Sequence, residues 1–188
     1  MSVSIQRARE ILQQADLLYS EQQVQAALQR IAQQINAVLA DQQPLVLAVM
    51  SGAAVFSGQL LPLLNCALEF GYVDVSRYGN AQSGGAVQWR VEPPEQVRGR
   101  VVLVLDDILD EGHTLAAIHR RVTELGAIRV YSAVLADKRH GRGKAIHADF
   151  IGLELPDRFA FGYGMDIAGV WRNLPAIYAV KDTNEELE

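Results

Sequence analysis

The chain has one cysteine, Cys66, so no internal disulfide can form. That residue sits in the apolar pattern Leu60-Leu61-Pro62-Leu63-Leu64-Asn65-Cys66-Ala67-Leu68, where a free thiol is expected to behave as a small buried apolar group. No stretch approaches the roughly 20 apolar residues that span a bilayer. The opening residues, MSVSIQRAREILQQ, lack the apolar region of a secretory signal. These absences predict a cytoplasmic protein with no membrane association. Basic charge is scarce: 17 Lys and Arg stand against 22 Asp and Glu, a net charge of -5. A nucleic-acid footprint is normally basic, so nucleic acid is not an expected partner. No G-x-G-x-x-G follows a strand-like run, which removes the dinucleotide fingerprint. Gly112-His113-Thr114 looks like the end of a P-loop, but Asp107 stands where that motif needs its first Gly, and His113 where it needs Lys. No internal repeat is visible.

What is present is ordinary in bulk. The 188 residues are 49% hydrophobic and 21% charged, about one domain with a core of its own. Residues 1–42 read as an N-terminal helical segment. Ile5, Ala8, Ile11, Leu12, Ala15 and Leu18 follow helical spacing, Ser20-Glu21-Gln22-Gln23 resembles a capping box, and Val24, Ala27, Leu28, Ile31, Ile35, Val38 and Leu39 form a second stripe. The glutamines between these positions predict a solvated face. After Pro44, strand-like runs at Leu45 to Met50, Gly71 to Tyr78, Ala86 to Val91, 101–106 and Val130 to Leu135 alternate with helical patterns at Val55 to Leu68 and 113–125. Pro62 blemishes the first of these helices, and Gly126 fits the C-cap of the second. The run 79–85 is a Gly-rich loop. Alternation of this kind predicts an α/β fold with a mostly parallel sheet flanked by helices over 43–136. Residues 137–181 read as a small flap of short strands, with a short helix near Ala168 to Trp171, and 182–188 as an acidic tail.

The informative stretch is Val101-Val102-Leu103-Val104-Leu105-Asp106-Asp107-Ile108-Leu109-Asp110-Glu111-Gly112-His113-Thr114-Leu115. Five apolar residues read as a strand buried on both faces. Carboxylates at its C-terminal end fall where open α/β sheets bind ligands. The turn after them offers an anion site at a helix N-terminus. A helix cap explains one acid there. Four acids at one strand end repel one another unless a cation or hydroxyl partner joins them. Acids for hydroxyls or metal, beside amides for phosphate, point to a phosphorylated sugar.

The run from Leu103 to Leu115 resembles the phosphoribosyl pyrophosphate (PRPP) motif of type I phosphoribosyltransferases. Ala136-Asp137-Lys138-Arg139 resembles the purine-recognition strand end of that family. Leu155-Pro156-Asp157-Arg158-Phe159-Ala160-Phe161-Gly162-Tyr163-Gly164-Met165-Asp166 and Trp171-Arg172-Asn173-Leu174-Pro175 are similar to the C-terminal hood of its hypoxanthine-guanine members. The resemblance runs in order from about 45 to 180. It implies the type I phosphoribosyltransferase fold, with a PRPP-binding core at 43–136, a purine-binding hood at 137–181 and an N-terminal helical extension. The implied activity is purine salvage: 5-phosphoribosyl passes from PRPP to hypoxanthine or guanine, with Mg²⁺, giving IMP or GMP and pyrophosphate.

The resemblance also implies roles. Asp106 and Asp107 hold the ribose hydroxyls and the Mg²⁺-bound sugar, Asp110 takes the proton released by the base, and Asp110, Glu111, Gly112, His113 and Thr114 form the 5′-phosphate loop. Lys138 donates to the purine 6-oxo group, Phe159 stacks on the ring, and Ala160 offers a backbone carbonyl. Asp166 meets a second Mg²⁺ through water, and Arg172 grips pyrophosphate with Ser51 and Gly52. Arg77 and Tyr78 begin a catalytic lid. A non-proline cis peptide is expected at Met50–Ser51. Four positions depart from the family pattern: Ser51 replaces Lys, Arg77 replaces Ser, Glu111 replaces a small hydroxyl residue and is expected to point outward, and His113 replaces Lys. The family forms dimers and tetramers, so a homodimer or homotetramer is expected. Rival readings are a xanthine- or adenine-preferring enzyme, which Lys138 disfavours for adenine, and a non-catalytic PRPP sensor that binds nucleic acid. The second lacks a basic module, since the first 42 residues carry few basic residues, among them Arg7, Arg9 and Arg30.

Overall fold

A computed structural model describes residues 3–77 and 87–181. Among these residues are four α-helices, α1 (Ile5–Gln14), α2 (Glu21–Leu39), α3 (Ala53–Leu60) and α4 (His113–Glu124), and nine strands. Six strands form the main sheet: β2 (Leu45–Met50), β3 (Glu69–Arg77), β4 (Val87–Val91), β5 (Val101–Leu109), β6 (Arg129–Lys138) and β7 (Phe150–Leu155). Their order is β4-β3-β2-β5-β6-β7. Only the β3–β4 pair is antiparallel. The expected α/β architecture with a mostly parallel sheet is what the chain adopts.

Period-two alternation divides the core between the two faces of this sheet. Val46, Leu103, Leu105, Ala133 and Leu135 pack with α2 and α3 on one face. Leu47, Val102, Val104 and Val134 pack with Leu115, Ile118 and Val122 of α4 on the other. In α2, Val24, Ala27, Leu28, Ile31, Ile35 and Leu39 are buried, while Gln22, Gln29, Gln33 and Gln34 are exposed. Its capping box is closed by both reciprocal bonds, Gln23 N–H to Ser20 Oγ and Ser20 N–H to Gln23 Oε1. Gly126, at φ +94, ends α4: its N–H bonds Thr123 O and that of Ala127 bonds Val122 O.

The chain runs from β2 outward through β3 to one edge, and from β5 outward through β6 to the other. Connections therefore diverge at the C-terminal ends of β2 and β5, which opens a crevice there.

Several local expectations are corrected. Asp16–Tyr19, read as part of a helical stripe, is strand β1. It pairs with β9 (Ile177–Ala179), which also pairs with β8 (Ala160–Phe161), in a separate three-stranded antiparallel sheet. Arg158 holds the join, donating to Asp16 Oδ2 at 2.6 Å and to the Val180 carbonyl at 2.8 Å. Tertiary pairing thus overrides local periodicity at Leu18. Helix α3 stops at Leu60, not Leu68, because Pro62 cannot donate to the helix; Leu61–Leu63 is a single 3-10 turn and Leu64 is extended. Ala168 to Trp171 is no helix but a tight turn with left-handed residues Ala168, Gly169 and Trp171, closed by the Ile167–Val170 bridge. Cys66 is only partly buried, with burial pushing its thiol pKa up. The Gly-rich run 79–85, Tyr78 and the tail 182–188 lie outside the described residues.

Candidate active site

Strand β5 carries its apolar run directly into the acids, so Asp106 and Asp107 are strand residues rather than loop residues. Both are buried, with relative exposures of 9% and 8%. Asp106 Oδ1 accepts the Asp107 N–H at 3.0 Å, and Asp107 Oδ1 accepts the Ile108 N–H at 2.9 Å. Burial pushes both carboxyl pKa values up. At Asp106 the neighbouring Asp107 charge pushes further, and the shift is large. At Asp107 it is opposed by the bond from Asp106, by backbone N–H groups and by the Arg172 guanidinium. Two carboxylates this close and this dry share a proton more readily than two charges.

Opposite them, β2 ends in a non-proline cis peptide at Met50–Ser51, as expected. Gly52 then starts α3 in close contact with Asp107: a Cβ at Gly52 would lie 2.6 Å from Asp107 Cγ. Gly164, at φ +103, packs on the Gly52 carbonyl from the hood side. Glycine is required at both positions by these approaches, and they seat the hood on the core. The hood then delivers Arg172. Its Nη1 bonds the Gly164 carbonyl at 2.6 Å and its Nη2 pairs with Asp166 Oδ1 at 2.5 Å.

The resulting cleft, of about 250 Å³, is lined by Ser51 and Gly52 after β2, by Asp106 to Asp110 on β5 and the turn after it, by Gly112, Thr114 and Leu115 at the start of α4, and by Arg172. Gly112, at φ +80, caps α4 without a side chain. An anion at this helix start would take the place of a side-chain cap.

Of the residues expected to act together, Ser51, Gly52, Asp106, Asp107, Asp110, Gly112, Thr114 and Arg172 converge on this cleft. Lys138, at the end of β6, joins it by donating to Asp110 Oδ2 at 3.3 Å, and stands 3.9 Å from Asp157. Glu111 and His113 do not line the cleft; they lie 3.7 Å apart, and Arg142 Nε is 3.7 Å from Glu111. Phe159 is 53% exposed just before β8, whereas Phe161 and Tyr163 are core residues. Ala160 pairs with Ala179 in the hood sheet. Arg77 ends β3, paired with Val87.

The acid pair suits a hard divalent cation. Mg²⁺ takes one or two carboxylates and completes its shell with water and phosphate oxygens, which is what Asp106 and Asp107 at a phosphate-sized cleft offer. Among the described residues no third acid, histidine or cysteine gathers with them into a protein-only cage. Asp166 is held by Arg172 and by the Gly169 N–H at 2.8 Å.

Sequence reading missed the segment after β6. His140 brings Nε2 to 3.2 Å from Asp110 Oδ1 with its side chain fully buried. Lys144 pairs with buried Asp137 and donates to the Leu109 carbonyl at 3.2 Å, tying this segment to the acid turn. The signal was the basic run Lys138-Arg139-His140-Gly141-Arg142-Gly143-Lys144, set straight after a strand end beside an acid cluster.

A model of the phosphoribosyl transferase domain matches residues 14–168. The chain is 36% identical over 166 residues to the hypoxanthine-guanine phosphoribosyltransferase of Bacillus subtilis, covering 88% of this chain and 92% of that one. It is 37% identical over 166 residues to the bifunctional protein TilS/HprT of Listeria innocua, of whose length it spans 26%. Among solved structures, the hypoxanthine phosphoribosyltransferase of Staphylococcus aureus superposes with a TM-score of 0.85 at 26% identity, over 92% of this chain and 95% of that one. A hypoxanthine-guanine phosphoribosyltransferase of Bacillus anthracis gives 0.83 at 31% identity, over 88% and 98%. With the crevice, the acid pair and the uncapped helix start in the order that fold requires, the chain belongs to the phosphoribosyl transferase domain family.

Proposed function

We propose that this protein is a purine salvage phosphoribosyltransferase that joins hypoxanthine or guanine to PRPP, releasing IMP or GMP and pyrophosphate. The observation that carries the reading is the buried Asp106–Asp107 pair facing the start of α4 across one cleft, in a chain 36% identical to a hypoxanthine-guanine enzyme. The 5′-phosphate fits the N–H groups around Gly112 to Thr114. The ribose hydroxyls fit as donors to Asp106 and Asp107, and pyrophosphate fits Ser51, Gly52 and Arg172, whose planar fork suits phosphate oxygens. Asp106 and Asp107 would hold Mg²⁺, which when bound would neutralise charge on the phosphate oxygens, and Asp166 is a candidate to serve a second ion.

Little covalent work falls to the protein, because the sugar develops cationic character as pyrophosphate departs. Positioning and charge stabilisation dominate. Asp110 accepts the proton of the purine ring nitrogen, and Lys138 donates to the 6-oxo oxygen. Phe159, exposed beside Ala160, is the stacking face for the base. The reading carries with it a cytoplasmic protein that assembles as a dimer or tetramer.

Lys138 offers the specific test. A cationic donor favours purines that present a 6-oxo acceptor over adenine, which presents an amine. Lys138→Gln is expected to lower the ratio of hypoxanthine to adenine kcat/KM by roughly ten- to a hundred-fold, the worth of one bond to a charged group. Spectrophotometric assays with each base measure the ratio. A loss equal for both bases would contradict the role.

A further inference from the structure

His140 is the residue of this site that the proposed function leaves unused. Its side chain is fully buried, and Nε2 stands 3.2 Å from Asp110 Oδ1. Both ring nitrogens and Asp110 Oδ1 are buried without a hydrogen-bond partner among the described residues. Buried polar atoms are nearly always paired, so three unpaired atoms side by side, one beside the expected base, call for a functional account.

Asp110 Oδ2 accepts from Lys138 at 3.3 Å. Arg142 lies 3.9 Å from Asp110 Oδ1, and Asp157, on the turn after β7, faces Lys138 and Arg142 at 3.9 and 3.3 Å. Glu111 and His113 form the adjoining pair at 3.7 Å. Asp110 is thus flanked by Lys138 and Arg142, which have no lone pair to accept a proton, and the His140 ring beside its Oδ1 is the neighbour that can take one up.

We infer that His140 is a positioning residue for Asp110 and the second carrier of the proton that the purine releases. The inference rests on the proposed function and on Asp110 as base. As the purine nitrogen bonds the anomeric carbon, pyrophosphate leaves with the electron pair of the broken C–O bond. The purine N–H proton passes to Asp110, its bonding pair staying on the ring. The proton then moves from the Asp110 oxygen to His140 Nε2, and the carboxylate returns to its ionised form between Lys138 and Arg142. In the reverse direction the same proton travels back from His140 through Asp110 to the nucleotide's base.

The test compares native protein with His140→Gln, His140→Asn, His140→Ala and Asp110→Asn, each first checked by its melting midpoint. His140→Gln keeps a donor but cannot carry the proton. Its kcat is expected to fall about ten-fold in both synthesis and pyrophosphorolysis, with KM for PRPP held within about two-fold. Asn is the second variant should Gln disturb the fold. In His140→Ala, added imidazoles are expected to restore kcat, the more basic ones more strongly. A kcat within about two-fold of native in both directions overturns the inference. So does rescue indifferent to the basicity of the added imidazole, which would reduce His140 to a filler. Native turnover abolished in Asp110→Asn but untouched in His140→Gln removes this inference alone. A native protein inactive on every purine removes the proposed function with it.

Discussion

Asp110→Asn is expected to lower kcat by roughly a hundred- to ten-thousand-fold, the usual worth of a positioned acid–base group, while KM for PRPP stays within about three-fold. The geometry makes the substitution a clean one. Asn has the shape of Asp, its carbonyl can still accept from Lys138, and its amide can donate toward His140 Nε2. The fold therefore keeps its contacts, and the phosphate loop keeps its backbone donors. What is lost is the ability to take a proton. Steady-state kinetics with hypoxanthine and varied PRPP separate the two effects. A fall in PRPP affinity as large as the fall in kcat would make Asp110 a binding residue instead.

Asp106→Asn is expected to move stability and ligand affinity in opposite directions. Burial, then the Asp107 charge, raises the Asp106 pKa well above its ordinary value. A group whose folded pKa is raised favours the fold in its protonated form. Its contribution is intact below the unfolded value of about 4 and is lost as pH rises through the folded value. At pH 8, above the unfolded value, the buried carboxyl therefore opposes the ligand-free fold. Asn removes that opposition, retains an oxygen for the Asp107 N–H and can donate to the Asp107 carboxylate. The ligand-free melting midpoint should rise by about 3 °C at pH 8, the equivalent of about 1 kcal/mol. That gain should vanish toward about pH 4. PRPP with Mg²⁺ should bind about a hundred-fold more weakly, because a charged acceptor for ribose and metal is gone. Calorimetric melts across pH and titration with PRPP and Mg²⁺ check both limbs. A variant less stable than native at pH 8, or one with native affinity, would contradict the account.

The core of the fold could be read directly. Val101 to Leu105 is a doubly buried strand in sequence and in space, and the acids that follow it lie at the crevice where β2 and β5 diverge. Gly112 and Gly126 mark the two ends of α4 as their chemistry requires. Readability failed where distant partners decide. Leu18 lies on helical spacing yet sits in β1, at the irregularity between Leu17 and Tyr19, because β9, some 160 residues away by the numbering, pairs with those two neighbours. The turn at Ala168 to Trp171 likewise depends on the hood closing around it; Trp171 Nε1 donates to the Ala8 carbonyl at 2.8 Å, across nearly the whole chain.

The site shows the same division. Residues contiguous in sequence, from Asp106 to Thr114, could be grouped from their spacing alone. The closeness of Gly52 to Asp107, of Gly164 to Gly52 and of His140 to Asp110 arises only when three separate loops meet. Glu111 illustrates the limit from the other side: one of four clustered acids in sequence, it lies off the cleft, beside His113 and Arg142.

The central claim is tested most directly by turnover of the native protein with PRPP, Mg²⁺ and each of hypoxanthine, guanine, xanthine and adenine. The account predicts nucleotide and pyrophosphate from hypoxanthine and guanine, and none from adenine. Turnover with adenine alone, or with no purine at all, would contradict it.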